Sequence, residues 1–203
     1  METEFKYNVN DPSVFDSIVK NAEISKMGID AVETIDMHAV YFDTEAMDFR
    51  KKGIAYRIRQ EDDRITATIK WDVTVEDGLH KREEFNLVVN DERFAEAPDI
   101  GLFISSEAYD VLYEAAGDRK LRKTISMDYT RKQFKVDTGR SISCISLDTG
   151  YIHHADGHDV PISELEIEWY YGNEDDFIRL ATYIQNKYDL QTENVSKLQR
   201  AYL

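Results

Sequence analysis

Charged and apolar residues alternate with a period of two from the start of the chain. In Glu2-Thr3-Glu4-Phe5-Lys6-Tyr7, Glu2, Glu4 and Lys6 share one parity and Thr3, Phe5 and Tyr7 the other. Successive side chains of a strand point to opposite faces, so the pattern predicts a strand with one wholly charged face. Period-2 or β-rich runs predict further strands over about 33–42, 54–60, 64–71, 81–89, 122–137, 140–148, 150–154 and 161–171. Glu61, Asp62 and Asp63 suggest a hairpin between two of them, and Asp156-Gly157 a turn between the last two. Helical spacing appears in three places. Asp11-Pro12-Ser13 opens a stripe of Val14, Phe15, Ile18 and Val19; Ala108, Val111, Leu112 and Ala115 lie in a run over 105–116 closed by Gly117; Asn173 caps a helix whose face is Phe177, Leu180, Ala181, Ile184 and Tyr188. The polar stretch from Asp91 to Ile100 reads as connection. Roughly eight strands and three or four helices make an α+β pattern.

The parity of the strands repeats one theme. Arg57 and Arg59 oppose Tyr56 and Ile58; Thr66, Thr68 and Lys70 oppose Ile65, Ala67, Ile69 and Trp71; Arg82, Glu84 and Asn86 oppose Phe85 and Leu87. Arg131, Gln133 and Lys135 oppose Phe134 and Val136, and Glu164, Glu166 and Glu168 oppose Leu165, Ile167 and Trp169. Two architectures fit: a sandwich with polar faces outward, or a closed antiparallel barrel whose lumen is charged and whose apolar outer wall is covered by the helices. Two features favour the barrel. The strand charges are segregated, acidic on the first and last strands and mainly basic between, whereas a solubilising surface mixes signs. Arginine outweighs lysine at several of these positions, and its planar fork suits bidentate phosphate binding.

Composition narrows the partners. A chain of 203 residues with 42% hydrophobic content predicts a single domain over 1–203. No apolar run approaches the ~20 residues of a membrane span, and the N-terminus is acidic rather than signal-like, so the expectation is a soluble, cytoplasmic protein without membrane association. Cys144 is the only cysteine, which excludes an intrachain disulfide or a cysteine-based zinc cluster. A net charge of −15 argues against general nucleic-acid binding, so any polyanion must be met locally by the few basic residues. Carboxylates at alternate positions of facing strands can surround a hard cation with oxygens, while Arg and Lys across the cavity neutralise a highly charged anion. That combination describes a site for a metal–polyphosphate chelate.

An ordered set of motifs resembles the CYTH superfamily, also called the triphosphate tunnel metalloenzymes. The set runs Glu2-x-Glu4-x-Lys6, Tyr41-Phe42-Asp43-Thr44, Gly53-Ile54-Ala55-Tyr56-Arg57-Ile58-Arg59, Lys70, Gly78-Leu79-His80-Lys81-Arg82-x-Glu84, Arg131, Leu147-Asp148-x-Gly150, Glu164-Leu165-Glu166-Ile167-Glu168 and Ser196-Lys197. The resemblance implies an eight-stranded antiparallel β-barrel with a charged lumen, binding a triphosphate-containing small molecule with Mg²⁺ or Mn²⁺. It implies metal ligation by Glu2, Glu4, Glu166 and Glu168, with Glu164 as a further ligand or a water-orienting base. Lys6, Arg57, Arg59, Lys70, Arg82, Arg131 and Lys197 are the implied triphosphate contacts. Glu84 and Asp148 match acidic positions of the pattern, Glu84 on the substrate side and Asp148 on the metal side.

The activity implied is hydrolysis of the terminal phosphate of inorganic triphosphate or a related organic triphosphate. The alternatives within the resemblance are a class IV adenylyl cyclase and a non-catalytic polyphosphate- or nucleotide-binding module. The Gly-Leu-His-x-Arg segment and the single Arg of Tyr129-Thr130-Arg131 look most like bacterial inorganic triphosphatases; many members, cyclases included, carry a basic residue where Tyr129 stands. Elsewhere plainer readings apply. His153, His154 and His158 mark a hairpin tip, Cys144 a packing position, Asp43 a strand end, and Glu174-Asp175-Asp176 a helix first turn whose dipole they complement.

Overall fold

The computed structural model describes residues 1–90, 97–154 and 157–203. Nine strands run in chain order as β1 (Glu2–Asn8), β2 (Glu33–Thr44), β3 (Ala55–Glu61), β4 (Arg64–Glu76), β5 (Leu79–Val88), β6 (Leu121–Asp137), β7 (Ser141–His153), β8 (Asp159–Gly172) and β9 (Gln191–Thr192). The described residues also form six α-helices: α1 (Ser13–Val19), α2 (Ala22–Met27), α3 (Asp48–Lys51), α4 (Glu107–Ala116), α5 (Glu174–Tyr188) and α6 (Lys197–Arg200). A 3₁₀ turn spans Ile100–Phe103.

All pairings between these strands are antiparallel, in the order β5-β4-β3-β2-β6-β7-β8-β1, and β1 pairs back onto β5 to close an eight-stranded barrel. The two-residue β9 adds to β1 beyond the end of the β5 pairing. The closure decides between the two architectures the parity left open. Phe5, Tyr7, Phe134, Ile145, Leu165 and Ile167 face outward and are covered by Phe15 and Ile18 of α1, Ile24 of α2 and Phe177, Leu180 and Ile184 of α5. Val40, Phe42, Tyr56, Ile58, Ala67 and Ile69 face outward under Phe49 of α3, Phe103, and Ala108 and Leu112 of α4. Each fully buried Phe or Leu of these layers contributes about 1.5–3 kcal/mol by leaving water.

Several local signals work as the sequence implies. The Asn173 side chain accepts from Asp176 N–H at the start of α5, and Gly117, at φ +56°, ends α4. Asp43 is buried, and its carboxylate accepts the backbone N–H groups of Thr44, Phe49 and Arg50, so it fixes the entry into α3. Other limits shift. The strands expected over 140–148 and 150–154 are one continuous β7. It passes through Gly150, where a Cβ would lie 2.2 Å from the Asp128 carbonyl oxygen. Asp156 and most of the Asp91–Ile100 connection lie outside the described residues.

Candidate active site

The even-numbered residues of β1 point inward: Glu4 and Lys6 are 2% and 3% exposed, at the opposite parity to Phe5 and Tyr7. They join a lumen of about 720 Å³ to which β1, β3, β4, β5, β6, β8 and the segment after β9 contribute charged side chains. Lys6, Arg50, Arg57, Arg59, Lys70, Arg82, Arg131 and Lys197 line it together with Glu2, Glu4, Glu61, Glu84, Glu166 and Glu168. Eight cations and six carboxylates line it inside a chain of charge −15, so the cations meet any polyanion locally.

The β1 and β8 carboxylates are mostly gripped by cations. Glu2 accepts from Arg82 and, at 3.0 Å, from Lys70, while Glu4 accepts from Arg82 and stands 3.0 Å from Lys6 Nζ. Glu166 binds Lys6, Arg131 Nη2 at 2.6 Å and Lys197 Nζ at 2.8 Å. Burial pushes the Glu166 carboxyl up, but Lys197, Lys6 and Arg131 together hold it well below the usual carboxylate range. Lys70 and Arg82 do the same for Glu2 against its burial. Lys70 also lies 2.7 Å from Glu84.

Glu168 differs: it lines the lumen with no ion-pair partner among the described residues. Burial and the neighbouring Glu2 and Glu4 raise its carboxyl to about 7. An opposite imbalance exists on β3, which is four strands from β8 in either direction around the ring. Arg57 donates to Thr68 Oγ1 at 3.3 Å and Arg59 pairs with Glu61, yet the buried Nε of each has no partner among the described residues. Burial lowers the Arg59 guanidinium, and the like charges of Arg57 and Arg131 lower it further.

Two expected site residues do not line the lumen. Asp148 is fully buried behind Arg131, which it binds in a bidentate pair at 2.7 Å through each oxygen; Lys197 Nζ lies 2.8 Å from it. Glu164, also fully buried, accepts from Lys197 at 2.6 Å and from Arg200 at 2.8 Å. Both stand behind the wall and set the direction of Arg131 and Lys197. Arg200, Glu193 and Arg50 were absent from the sequence expectation, because the short turns that carry them have no periodicity to expose them. The lumen is also not charged throughout: Met37, Tyr41, Met127 and Tyr129 from β2 and β6 form an apolar sector packed with Leu198 and Tyr202.

The donor set fits a hard divalent cation. Glu2, Glu4, Glu166 and Glu168 offer only carboxylate oxygens, and an ion beside Glu168 would offset the negative charge that raises its carboxyl. Among the described residues no three His, Cys, Asp or Glu side chains already converge on one point, since Arg82 and Lys6 occupy the space between these carboxylates. The other chemistry-bearing residues lie elsewhere. His153 bridges Asp128 and Asp159 at 3.2 and 2.9 Å on the barrel exterior, and burial pushes the Cys144 thiol up to about 11, away from thiolate chemistry. No helix among the described residues is long and apolar enough to cross a membrane.

Comparison with known proteins agrees with this geometry. The chain is 30% identical over 164 residues to an inorganic triphosphatase from Haemophilus influenzae, covering 80% of this chain and 44% of that protein, so it spans less than half the relative's length. Its structure is similar to that of a Hippeastrum protein described as a candidate adenylyl cyclase that reveals a dominant triphosphatase activity. The TM-score is 0.73 at 19% identity, over 100% of this chain and 95% of the other. A candidate adenylate cyclase from Bacillus halodurans superposes with a TM-score of 0.65 at 19% identity, over 100% and 98% of the two chains. At these identities the likeness is one of fold. The CYTH domain model matches residues 1–202, and the chain belongs to the CYTH domain family.

Proposed function

We propose that this protein is a divalent-metal-dependent triphosphatase that removes the terminal phosphate of inorganic triphosphate or a related organic triphosphate, acting as one domain in the cytoplasm. The observation that carries the reading is the opposition of β3 and β8: two half-buried guanidinium groups, whose buried Nε atoms have no partner among the described residues, face a carboxylate wall across one lumen. An anion binder alone gains nothing from lining its site with glutamates.

In this reading Arg57, Arg59 and Arg131 hold the phosphate chain, with Lys6, Lys70, Arg82 and Lys197 completing the cationic contacts. A Mg²⁺ or Mn²⁺ ion bound by Glu2, Glu4, Glu166 and Glu168 supplies Lewis-acid charge at the phosphate oxygens. Glu166 and Glu168 are the β8 carboxylates that face the lumen and so orient the attacking water. Its oxygen bonds to the terminal phosphorus as the bridging P–O bond breaks. Orthophosphate and the shortened phosphate chain are the products, and the cationic wall stabilises the charge on the transferring group. Glu164 and Asp148 act through Lys197 and Arg131 rather than on the substrate.

The apolar sector of Met37, Met127, Tyr129, Leu198 and Tyr202 supports a related organic triphosphate, because an inorganic chain makes no use of such a surface. Phosphorus NMR of the products tests both forms and the cyclase alternative. The protein is incubated with Mg²⁺ and either tripolyphosphate or ATP, beside a Glu166→Gln control. Orthophosphate with pyrophosphate from tripolyphosphate, or with ADP from ATP, is expected, lost in the control. Cyclic AMP with pyrophosphate would replace this reading with the cyclase, and no turnover in either tube would move the weight to another triphosphate substrate or to the binding module.

A further inference from the structure

The Gly78-Leu79-His80 motif has no part in the site described above, and none of the three residues lines the lumen. They meet the segment that follows β9. Lys6 donates its N–H to Gly78 O at 2.9 Å, Gly78 N–H donates to Asn194 Oδ1 at 2.8 Å, and Glu193 N–H donates to Lys6 O at 2.8 Å. Gly78 has φ +81°, and a Cβ there would lie 2.9 Å from Thr192 Cβ and 3.0 Å from Lys6 O, so only glycine lets the two backbones approach. His80 is 1% exposed, and its Nε2 stands 2.8 Å from Glu193 O. A carbonyl only accepts, so Nε2 carries the proton. Nδ1 is buried without a partner among the described residues, a place that disfavours a second proton and so the charged ring. Burial also lowers the imidazole pKa.

The contact leads directly to the lumen. Val195 N–H donates to Glu193 Oε1 at 2.7 Å, and Ser196 then opens α6 through a capping box with Gln199. Lys197, the first residue of that helix, reaches Glu164, Glu166 and Asp148. A rigid turn of four residues therefore joins the carbonyl held by His80 to a lumen cation. We propose that His80 is a positioning residue: with Gly78 it forms the dock for residues 191–200, and it acts on substrate binding by holding the segment that places Lys197.

The kinetic half of the test rests on the triphosphatase reading, whereas hydrogen exchange does not, so the two can fail separately. Amide exchange over residues 190–203 and the kinetics of tripolyphosphate hydrolysis are measured for His80→Leu, His80→Gln and Asn194→Ala. Losing one buried hydrogen bond is worth about tenfold. His80→Leu is expected to speed exchange in this segment about tenfold and raise KM about tenfold, with kcat within about threefold. His80→Gln, which keeps an amide donor, is expected to recover most of both. Asn194 is exposed, so Asn194→Ala keeps the fold and is expected to speed exchange in the same segment even if His80→Leu does not fold. Wild-type exchange in a folded His80→Leu would overturn the proposal, as would wild-type exchange in Asn194→Ala or equal damage from His80→Gln and His80→Leu. A wild-type protein without triphosphatase activity would overturn the function reading, and the exchange data would still decide the dock.

Discussion

Strands β3 and β8 face each other across the barrel and carry the same design with opposite signs, yet their electrostatics are not mirror images. On β8, Glu164 and Glu166 are saturated by Lys6, Arg131, Lys197 and Arg200, and only Glu168 has no ion pair among the described residues. On β3, Arg57 makes no ion pair among the described residues, and Arg59 has only Glu61. The difference separates two uses of buried charge. A compensated network fixes geometry and costs a great deal to break, whereas an under-compensated pair of cations contributes little to the fold and gains most from an added anion.

The largest effect that can break this comparison belongs to Glu166. Glu166→Gln leaves Lys6, Arg131 and Lys197 short of one negative charge in a buried place. It is expected to cost roughly 3 kcal/mol of stability and to lower triphosphate turnover by about 10³, read by thermal melts and phosphate release. If the melt is unchanged, the saturated wall is not what fixes the lumen. Arg57→Ala and Arg59→Ala come next and should show the reverse profile. Each is expected to raise KM for tripolyphosphate by about 10–100-fold while stability moves by less than about 1 kcal/mol. Equal destabilisation at β3 and β8 would erase the contrast.

The smallest effect is a pH-dependent one at Glu168. Its folded carboxyl is raised from 4.5 to about 7, so ionising it opposes folding. That cost is absent below about pH 4.5, grows between 4.5 and 7 and is complete above 7. In EDTA, with the shift discounted for solvent screening because Glu168 is only half-buried, Glu168→Gln is therefore expected to stabilise by about 1 kcal/mol at pH 8, a rise of ~2–4 °C in Tm, and to match wild type near pH 4.5. Added Mg²⁺ should reverse the order at pH 8, because wild type gains a ligand that the variant binds less well. Glu166 runs the other way. Its carboxyl is lowered, so its contribution is complete above pH 4.5 and disappears as the pH falls through the lowered value.

Much of the fold was legible because period-2 alternation is a direct projection of barrel geometry: Arg57 and Arg59, or Glu164, Glu166 and Glu168, share a face wherever the strand lies. Parity alone does not say on which side water is; the segregation of charge between strands and the excess of arginine pointed inward, and the closure of the ring settled it. Depth along the lumen was not legible. Asp148 and Glu164 have the same parity as Glu166, but Arg131, Lys197 and Arg200 stand in front of them. Strand twist and the path of a short turn decide that, and neither leaves a periodic trace. Arg200 and Glu193 escaped for the same reason, and nothing in the parity of Met37 and Met127 marked them as lumen residues.

The barrel's closure also has a consequence for how the chain is made. β1 completes the ring by pairing with β5 and β8, and its Lys6 meets Glu166 160 residues later in the sequence. At roughly 5–20 residues per second on the ribosome, β1 emerges on the order of ten seconds or more before β8. Local hairpins such as β3–β4 and β4–β5 can form in that interval, but the ring cannot. The stave that carries Glu2, Glu4 and Lys6 is made before its β8 partner, so assembly of the charged lumen waits on slow, highly non-local contacts.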